Sequence, residues 1–127
     1  ILATIADKDK KEAYPLLKEF EELGFKIWAT PGTAAFLREN GVPVSEVAKI
    51  NMGQPNVLDL IRSGNLCLVI NSLTKGKQPQ RDGFQIRRAA VEFNIPCLTS
   101  MDTCGGLLRV IRRRKEELAV KALQDYL

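Results

Sequence analysis

The chain has 127 residues, enough for one domain with a real hydrophobic core. Hydrophobic residues make up 45% and charged residues 27%, which excludes a disordered chain, and the longest apolar runs, such as residues 66–70, are strand-sized and far too short to span a bilayer. The net charge of +4 favours anionic ligands but is too modest to indicate nucleic-acid binding, and the absence of histidine removes Ser–His and Cys–His nucleophile pairs as well as histidine metal sites.

In chain order, apolar clusters alternate between strand and helix character. Residues 1–6 read as a first strand, and Asp7 and Asp9 stand where they can cap the next helix. Ala13, Leu16, Leu17, Phe20 and Leu23 recur at helical spacing, and Gly24 stops that helix. Residues 25–30 make a second strand, and a helix over 33–40 closes on Asn40 and Gly41. Residues 42–47 make a third strand, which Pro43 marks as an edge. Pro55 and Asn56 open a short helix over 57–62, since proline fits the first helical turn, and Ser63, Gly64 and Asn65 end it.

Residues 66–71 form the continuous apolar strand expected at the centre of a parallel sheet covered on both faces. A polar loop over 72–81 comes next. Phe84, Ile86, Ala89, Ala90 and Phe93 then outline an amphipathic helix, and residues 95–99 a fifth strand. Leu107, Leu108 and Ile111 sit on a helix that ends in the run Arg112, Arg113, Arg114, Lys115, where cations suit the helix dipole, and residues 116–127 make one last helix.

Five strands alternating with helices predict an α/β domain, a parallel sheet with helices on both faces. Such sheets bind ligands beyond the carboxyl ends of their strands. The candidate site therefore comprises residues 7–10, 30–33, 49–54, 71–81 and 99–102. Three of these loops carry lysine: Lys8 and Lys10, Lys49, and Lys75 and Lys77. One carries Thr30-Pro31-Gly32-Thr33 immediately before a helix. A helix starting there aims its unpaired amides and positive dipole end at the loop, Gly32 admits close backbone approach, and both hydroxyls can donate to phosphate oxygens. From spacing alone, an anion cradle and a plain helix cap at Thr33 stand as equal readings. No Gly-Lys-Ser/Thr follows the turn, so it is not a Walker motif.

Other residues at this rim are ambiguous. Asn71 can orient a bound ring or phosphate, or simply serve a turn, and the turn is the favoured reading from sequence. Asp82 can cap the next helix or bond to a sugar or base. Of Arg87 and Arg88, one is expected along the top of the sheet and one in solvent. The cysteines, Cys67, Cys97 and Cys104, are three in number with no CxxC pair, which reads as a reduced cytoplasmic protein without zinc. Cys104 has no histidine partner and is given no chemistry. The chain opens at Ile1, inside a strand-like run, and is read as a domain of something longer.

The segments "ATPGTAAFL", "VAKI", "VINSLTKG" and "IRRAAV" occur in the order and loops found in methylglyoxal-synthase-like domains. Within that group the chain resembles the carboxy-terminal regulatory domain of carbamoyl-phosphate synthase large chains, across nearly its whole length. The resemblance implies a three-layer α/β/α fold with strand order 3-2-1-4-5. It also implies a regulatory site in which Thr30 and Thr33, with Gly32 between them, hold the phosphate of an effector nucleotide. Lys10 and Lys49 would reach toward that phosphate, Asn71, Thr74 and Lys75 would complete the pocket, and Asp82 would lie where the base is held. UMP is the usual inhibitor of such domains, with IMP, ornithine or phosphoribosyl pyrophosphate as activators. The domain itself would need no cofactor or metal, while the parent chain would use ATP with magnesium or manganese. The implied partners are the other domains of the large subunit, a glutaminase small subunit and further copies through this domain, with neither nucleic acid nor membrane among them.

The rival within the same group is methylglyoxal synthase, which eliminates phosphate from dihydroxyacetone phosphate. That chemistry needs a carboxylate base after a Gly-Gly pair and a histidine that polarises the carbonyl. Here the corresponding stretch reads "NMGQPN", with Gln54 in the place of the carboxylate, and the chain has no histidine. An amide cannot take a proton at neutral pH, and general base catalysis contributes about 10²–10⁴-fold. The sequence is therefore read as a binding module that leaves its ligand chemically intact.

Overall fold

The computed structural model describes residues 1–72 and 82–126. Five short strands, β1 (Leu2–Thr4), β2 (Trp28–Ala29), β3 (Ser45–Glu46), β4 (Val69–Asn71) and β5 (Cys97–Leu98), form one sheet in the order β3-β2-β1-β4-β5. Every pairing is parallel, with Leu2 opposite both Trp28 and Val69, and Val69 opposite Cys97. This is the order the resemblance implied, and β3, which carries Pro43 just upstream, lies at an edge as the proline predicted.

The helices are α1 (Lys10–Glu22), α2 (Pro31–Glu39), α3 (Val57–Arg62), α4 (Asp82–Glu92) and α5 (Met101–Tyr126), with a 3-10 turn over Asp7–Asp9 leading into α1. Alternation along β1 sorts them into two layers. Ala3, flanked by Ile1 and Ile5, packs with Ala13, Leu17 and Phe20 of α1, Leu37 of α2 and Leu108 of α5. Leu2 faces the other way, with Val57 and Ile61 of α3 and Ile86 and Ala90 of α4. Tyr14 of α1 meets Phe36 of α2 edge to face, with ring centroids 6.3 Å apart. The amino ends of α1 and α2 consequently lie on one face of the sheet, beside the carboxyl ends of β1 and β2.

The structure revises several boundaries. The ladders are shorter than the apolar runs, although hydrogen bonds continue past them, such as Val47 N–H to Ala29 O at 2.9 Å and Ser72 N–H to Thr4 O at 2.9 Å. Cys67 precedes β4 and is exposed rather than part of a strand. Helix α3 spans the expected residues, but it is Asn56 that caps it and not Pro55 that starts its first turn. The Asn56 carboxamide accepts from the amides of Leu58 and Asp59, and the Asp59 carboxylate accepts the Asn56 amide in return, a capping box that leaves Pro55 outside.

Helix α4 ends at Glu92 and the chain turns at Asn94 with φ of 56°, so Phe93 is 41% exposed and not a core residue. The two expected carboxy-terminal helices are one continuous helix of 26 residues. From Glu116 onward the sequence offers strong helix formers and no glycine or proline to stop them. The basic run at 112–115 consequently lies in mid-helix. There Arg112 pairs with Glu19 at 2.8 Å, and Lys115 donates to the Leu23 carbonyl at 2.7 Å, closing the carboxyl end of α1. Among the described residues, no helix is long and apolar enough to cross a membrane.

Candidate functional site at the carboxyl rim of the sheet

Helix α2 begins two residues earlier than the sequence suggested, with Thr30 in the cap position and Pro31 at the first helical position. The Ala34 amide is already bonded back to Thr30 O at 2.8 Å. Proline has no N–H, so helical geometry leaves the amides of Gly32 and Thr33 without intrahelical acceptors. Thr30 makes no side-chain capping bond. Thr33 is not the cap either. It lies in the first turn, buried against β1, where its hydroxyl oxygen accepts the Ile5 amide at 3.2 Å. That bond uses the oxygen of Thr33 and leaves the O–H hydrogen able to donate elsewhere.

Lys10 is brought to this helix end by α1. Its ammonium stands 3.7 Å from the point where a Cβ would sit on Gly32. The same ammonium bonds to the Asp7 carboxylate at 2.5 Å. Neither Asp7 nor Asp9 caps α1 with its side chain, contrary to the sequence expectation. Asp7 turns to Lys10, and Asp9 accepts a hydrogen bond from the Ser72 hydroxyl just after β4. The Lys10 ammonium, first by that hydrogen bond and then by its charge, holds the Asp7 carboxyl below its ordinary range, and the charge of Lys49 acts in the same direction. Lys49 thus shares the electrostatic neighbourhood of Lys10.

The loop that carries Lys49 is fixed at its base. Val57 N–H bonds to Ala48 O at 3.0 Å, a bridge joins Ala48 to Asn56, and Met52 N–H bonds to Lys49 O at 3.1 Å. Lys49 and Gln54 are both exposed on this loop.

Asn71 is 2% exposed, and its carboxamide is engaged at both ends. Its oxygen accepts from the Thr4 hydroxyl at 2.7 Å, and its nitrogen donates to the Gly83 carbonyl at 2.9 Å. The side chain therefore ties the end of β1 to the start of α4. Thr74 and Lys75, with Lys77, lie outside the described residues, as does the side chain of Asp82, which opens α4. Arg87 and Arg88 are both exposed, and the Arg87 charge acts on the thiol of Cys97 in β5.

Of the predicted residues, Lys10, Gly32 and Thr33 converge on one helix end. Lys49 acts by charge on Asp7, the partner of Lys10, and Asn71 braces the neighbouring strand. Two participants escaped the sequence reading: Thr4, which holds Asn71, and Asp7 as the partner of Lys10. The three-residue spacing of Asp7 and Lys10 was the available signal.

Further along the rim, Lys8, Asp9, Glu12, Thr99, Ser100, Met101 and Asp102 line an open cleft of about 330 Å³. Among these lining residues, three carboxylates against one ammonium make it the acidic counterpart of the Lys10 end. Burial pushes the Cys104 thiol up to about 11, so it stays protonated at neutral pH. Among the described residues, no group of cysteine, aspartate and glutamate side chains is arranged to hold a metal ion.

One family model matches the chain: the one described as "MGS-like domain" aligns with residues 12–99. The match takes in α2 with its Pro31-Gly32-Thr33 start, the Lys49 loop and all strands but β1.

Proposed function

This chain belongs to the MGS-like domain family, and from that premise we propose that it is a regulatory module that binds the phosphate of a nucleotide effector at the amino end of α2 without transforming it. The observation that carries the reading is the placement of the Lys10 ammonium beside Gly32, at a helix start whose first amides point outward. The Thr33 hydroxyl retains a hydrogen to donate, and Lys49 adds a second positive charge from a loop fixed at its base. Thr30 stands at the cap position of the same turn. Asn71 contributes by holding the frame, since both ends of its amide are occupied by protein. Thr74, Lys75 and Asp82 are proposed to complete the nucleotide contacts.

The parent protein in this reading is a carbamoyl-phosphate synthase large chain, an ATP-dependent ligase with magnesium or manganese, working with a glutaminase subunit in the cytoplasm. The effector is UMP, IMP or phosphoribosyl pyrophosphate. Regulation arises by linkage: a nucleotide that prefers one state of the synthase shifts the equilibrium toward it, typically by about 1–3 kcal/mol.

The family also contains the elimination chemistry of methylglyoxal synthase. Against that reading stand Gln54 in the place of the base and a chain without histidine. Calorimetric titration of the chain with UMP and IMP is expected to give saturable heat at up to millimolar nucleotide, while dihydroxyacetone phosphate yields no methylglyoxal. Absence of heat with both nucleotides overturns the binding module, and release of methylglyoxal replaces it with an enzyme.

A further inference from the structure

If the amino end of α2 receives a phosphate, the place beside Lys10 is not vacant. The Asp7 carboxylate lies 2.5 Å from the Lys10 ammonium. The two partners differ sharply in exposure: the Lys10 side chain is 17% exposed and that of Asp7 is 93% exposed. The lysine is therefore the sheltered member, set between α1 and the start of α2, and the aspartate reaches it from the surface. An exposed carboxylate can rotate into water with little loss of hydration, whereas the sheltered ammonium has few other positions.

We propose that Asp7 is a resident counter-anion, an autoinhibitory contact that an incoming phosphate must displace from Lys10. This rests on the phosphate-binding reading given above. Binding is then an exchange of partners on Lys10, not an addition. The carboxylate lies in the field of Lys49 as well, so both ammonium groups proposed for the phosphate already attract an anion supplied by the chain. The rest of the Asp7–Asp9 turn stays anchored while Asp7 moves, because Asp9 accepts from the Ser72 hydroxyl and its amide bonds to Ala6 O at 2.9 Å. The exchange requires only a side-chain rotation. It sets a standing penalty on every ligand that uses Lys10, whatever the remainder of the ligand contributes. Such a contact keeps a cationic helix end from collecting ambient small anions, and reserves it for ligands with additional contacts.

The test is a double-mutant cycle read by calorimetry with UMP, and by NMR titration with inorganic phosphate. Asp7→Asn is expected to tighten both by about threefold to tenfold. Asp7→Glu, which keeps the charge, is expected to stay near the wild type. In a Lys10→Ala background the effect of Asp7→Asn is expected to vanish, which a general change in surface charge would not produce. Unchanged or weaker binding by Asp7→Asn, with wild-type binding intact, overturns the exchange while the phosphate site stands. Tightening that persists without Lys10 also overturns it, since a long-range field then suffices. If neither probe binds the wild type or any variant, the phosphate site itself falls and the exchange falls with it. Asp7 is exposed, so loss of its ion pair is expected to lower the thermal midpoint only slightly, and an unfolding transition well above the titration temperature rules out a folding artefact.

Discussion

The carboxyl rim of this sheet has two ends of opposite sign. Beside β1 and β2, Lys10 stands at the amino end of α2, with Gly32 and Thr33 in its first turn, and the charge of Lys49 acts on Asp7, the partner of Lys10. Between the turn after β1 and the end of β5, Asp9, Glu12 and Asp102 line a cleft to which Lys8 contributes the opposing charge. Both lie beyond the carboxyl ends of strands, and both adjoin the start of a helix, α2 in one case and α5 in the other. Topology alone nominates either. What separates them is which side chains the first helical turns carry: Pro31-Gly32-Thr33 presents small groups and amides, whereas Asp102 places a carboxylate at the start of α5 and offsets its dipole. The net charge of +4 says nothing of this division, because it averages over a rim whose parts oppose one another.

The largest expected effect breaks the basic end outright. Lys10→Ala removes the sheltered ammonium and is expected to weaken UMP binding by about 10–100-fold, the range for a charge-assisted hydrogen bond in a partly desolvated site. Isothermal titration at fixed salt measures it. A change of less than about twofold would mean that the phosphate does not contact Lys10.

Next comes Thr33, where structure and binding share one atom. Thr33→Val deletes the acceptor of the Ile5 amide and is expected to cost about 1–3 kcal/mol of folding stability, together with about tenfold in nucleotide affinity. Thr33→Ser keeps the hydroxyl and should preserve both. Denaturant unfolding and titration of the two variants separate the roles. Loss of stability with unchanged affinity would make Thr33 a brace for β1 and nothing more.

Gly32 sharpens the comparison because its conformation does not demand glycine. It lies in α2 with no left-handed φ, and a Cβ there would stand 3.7 Å from Lys10 Nζ, an ordinary contact. Gly32→Ala is therefore expected to leave stability unchanged or improve it by up to about 0.5 kcal/mol, through helix propensity. The added methyl group occupies the space between the helix amides and the ammonium, and nucleotide affinity should fall about threefold to tenfold. Denaturant unfolding in parallel with titration reads both signs. Equal affinity would show that the phosphate does not enter that gap.

These residues also show what was legible in the chain and what was not. The sheet, its helices and the Thr-Pro-Gly-Thr turn came from apolar periodicity and turn chemistry, both local properties, and the strand order came from the resemblance. The start of α2 was misplaced by two residues, because Thr33 has the chemistry of a cap and only the tertiary position of Ile5 shows its hydroxyl oxygen facing β1. Asp7 was read as a cap for the same reason: its preference for helix starts is real, but Lys10 one turn along offers a stronger partner. The carboxy-terminal helix was split at its basic run, although Glu19 and the Leu23 carbonyl give Arg112 and Lys115 partners that a sequence pattern does not reveal. Asn71 looked like a turn residue from sequence, and its two bonds, to Thr4 and Gly83, are long-range in the chain. These four misses concern which of several polar partners wins, a question decided by three-dimensional neighbours.

The smallest expected effect lies at the acidic end and is the control for the division. Asp102 is exposed in the first turn of α5, in the cleft that Lys8, Asp9 and Glu12 also line. At physiological salt the screening length is about 8 Å, so an exposed carboxylate acts only weakly on an anion that it does not contact. Asp102→Asn should cost about 0.5 kcal/mol of stability through the lost interaction with the helix dipole, and should change UMP affinity by less than about twofold. The direction of any change is informative. A slight tightening is what a distant carboxylate predicts, and it should disappear as salt is raised. A marked weakening that survives high salt would mean that the ligand lies in the acidic cleft, with its ribose or base rather than its phosphate leading, and the assignment of the two ends would have to be reversed.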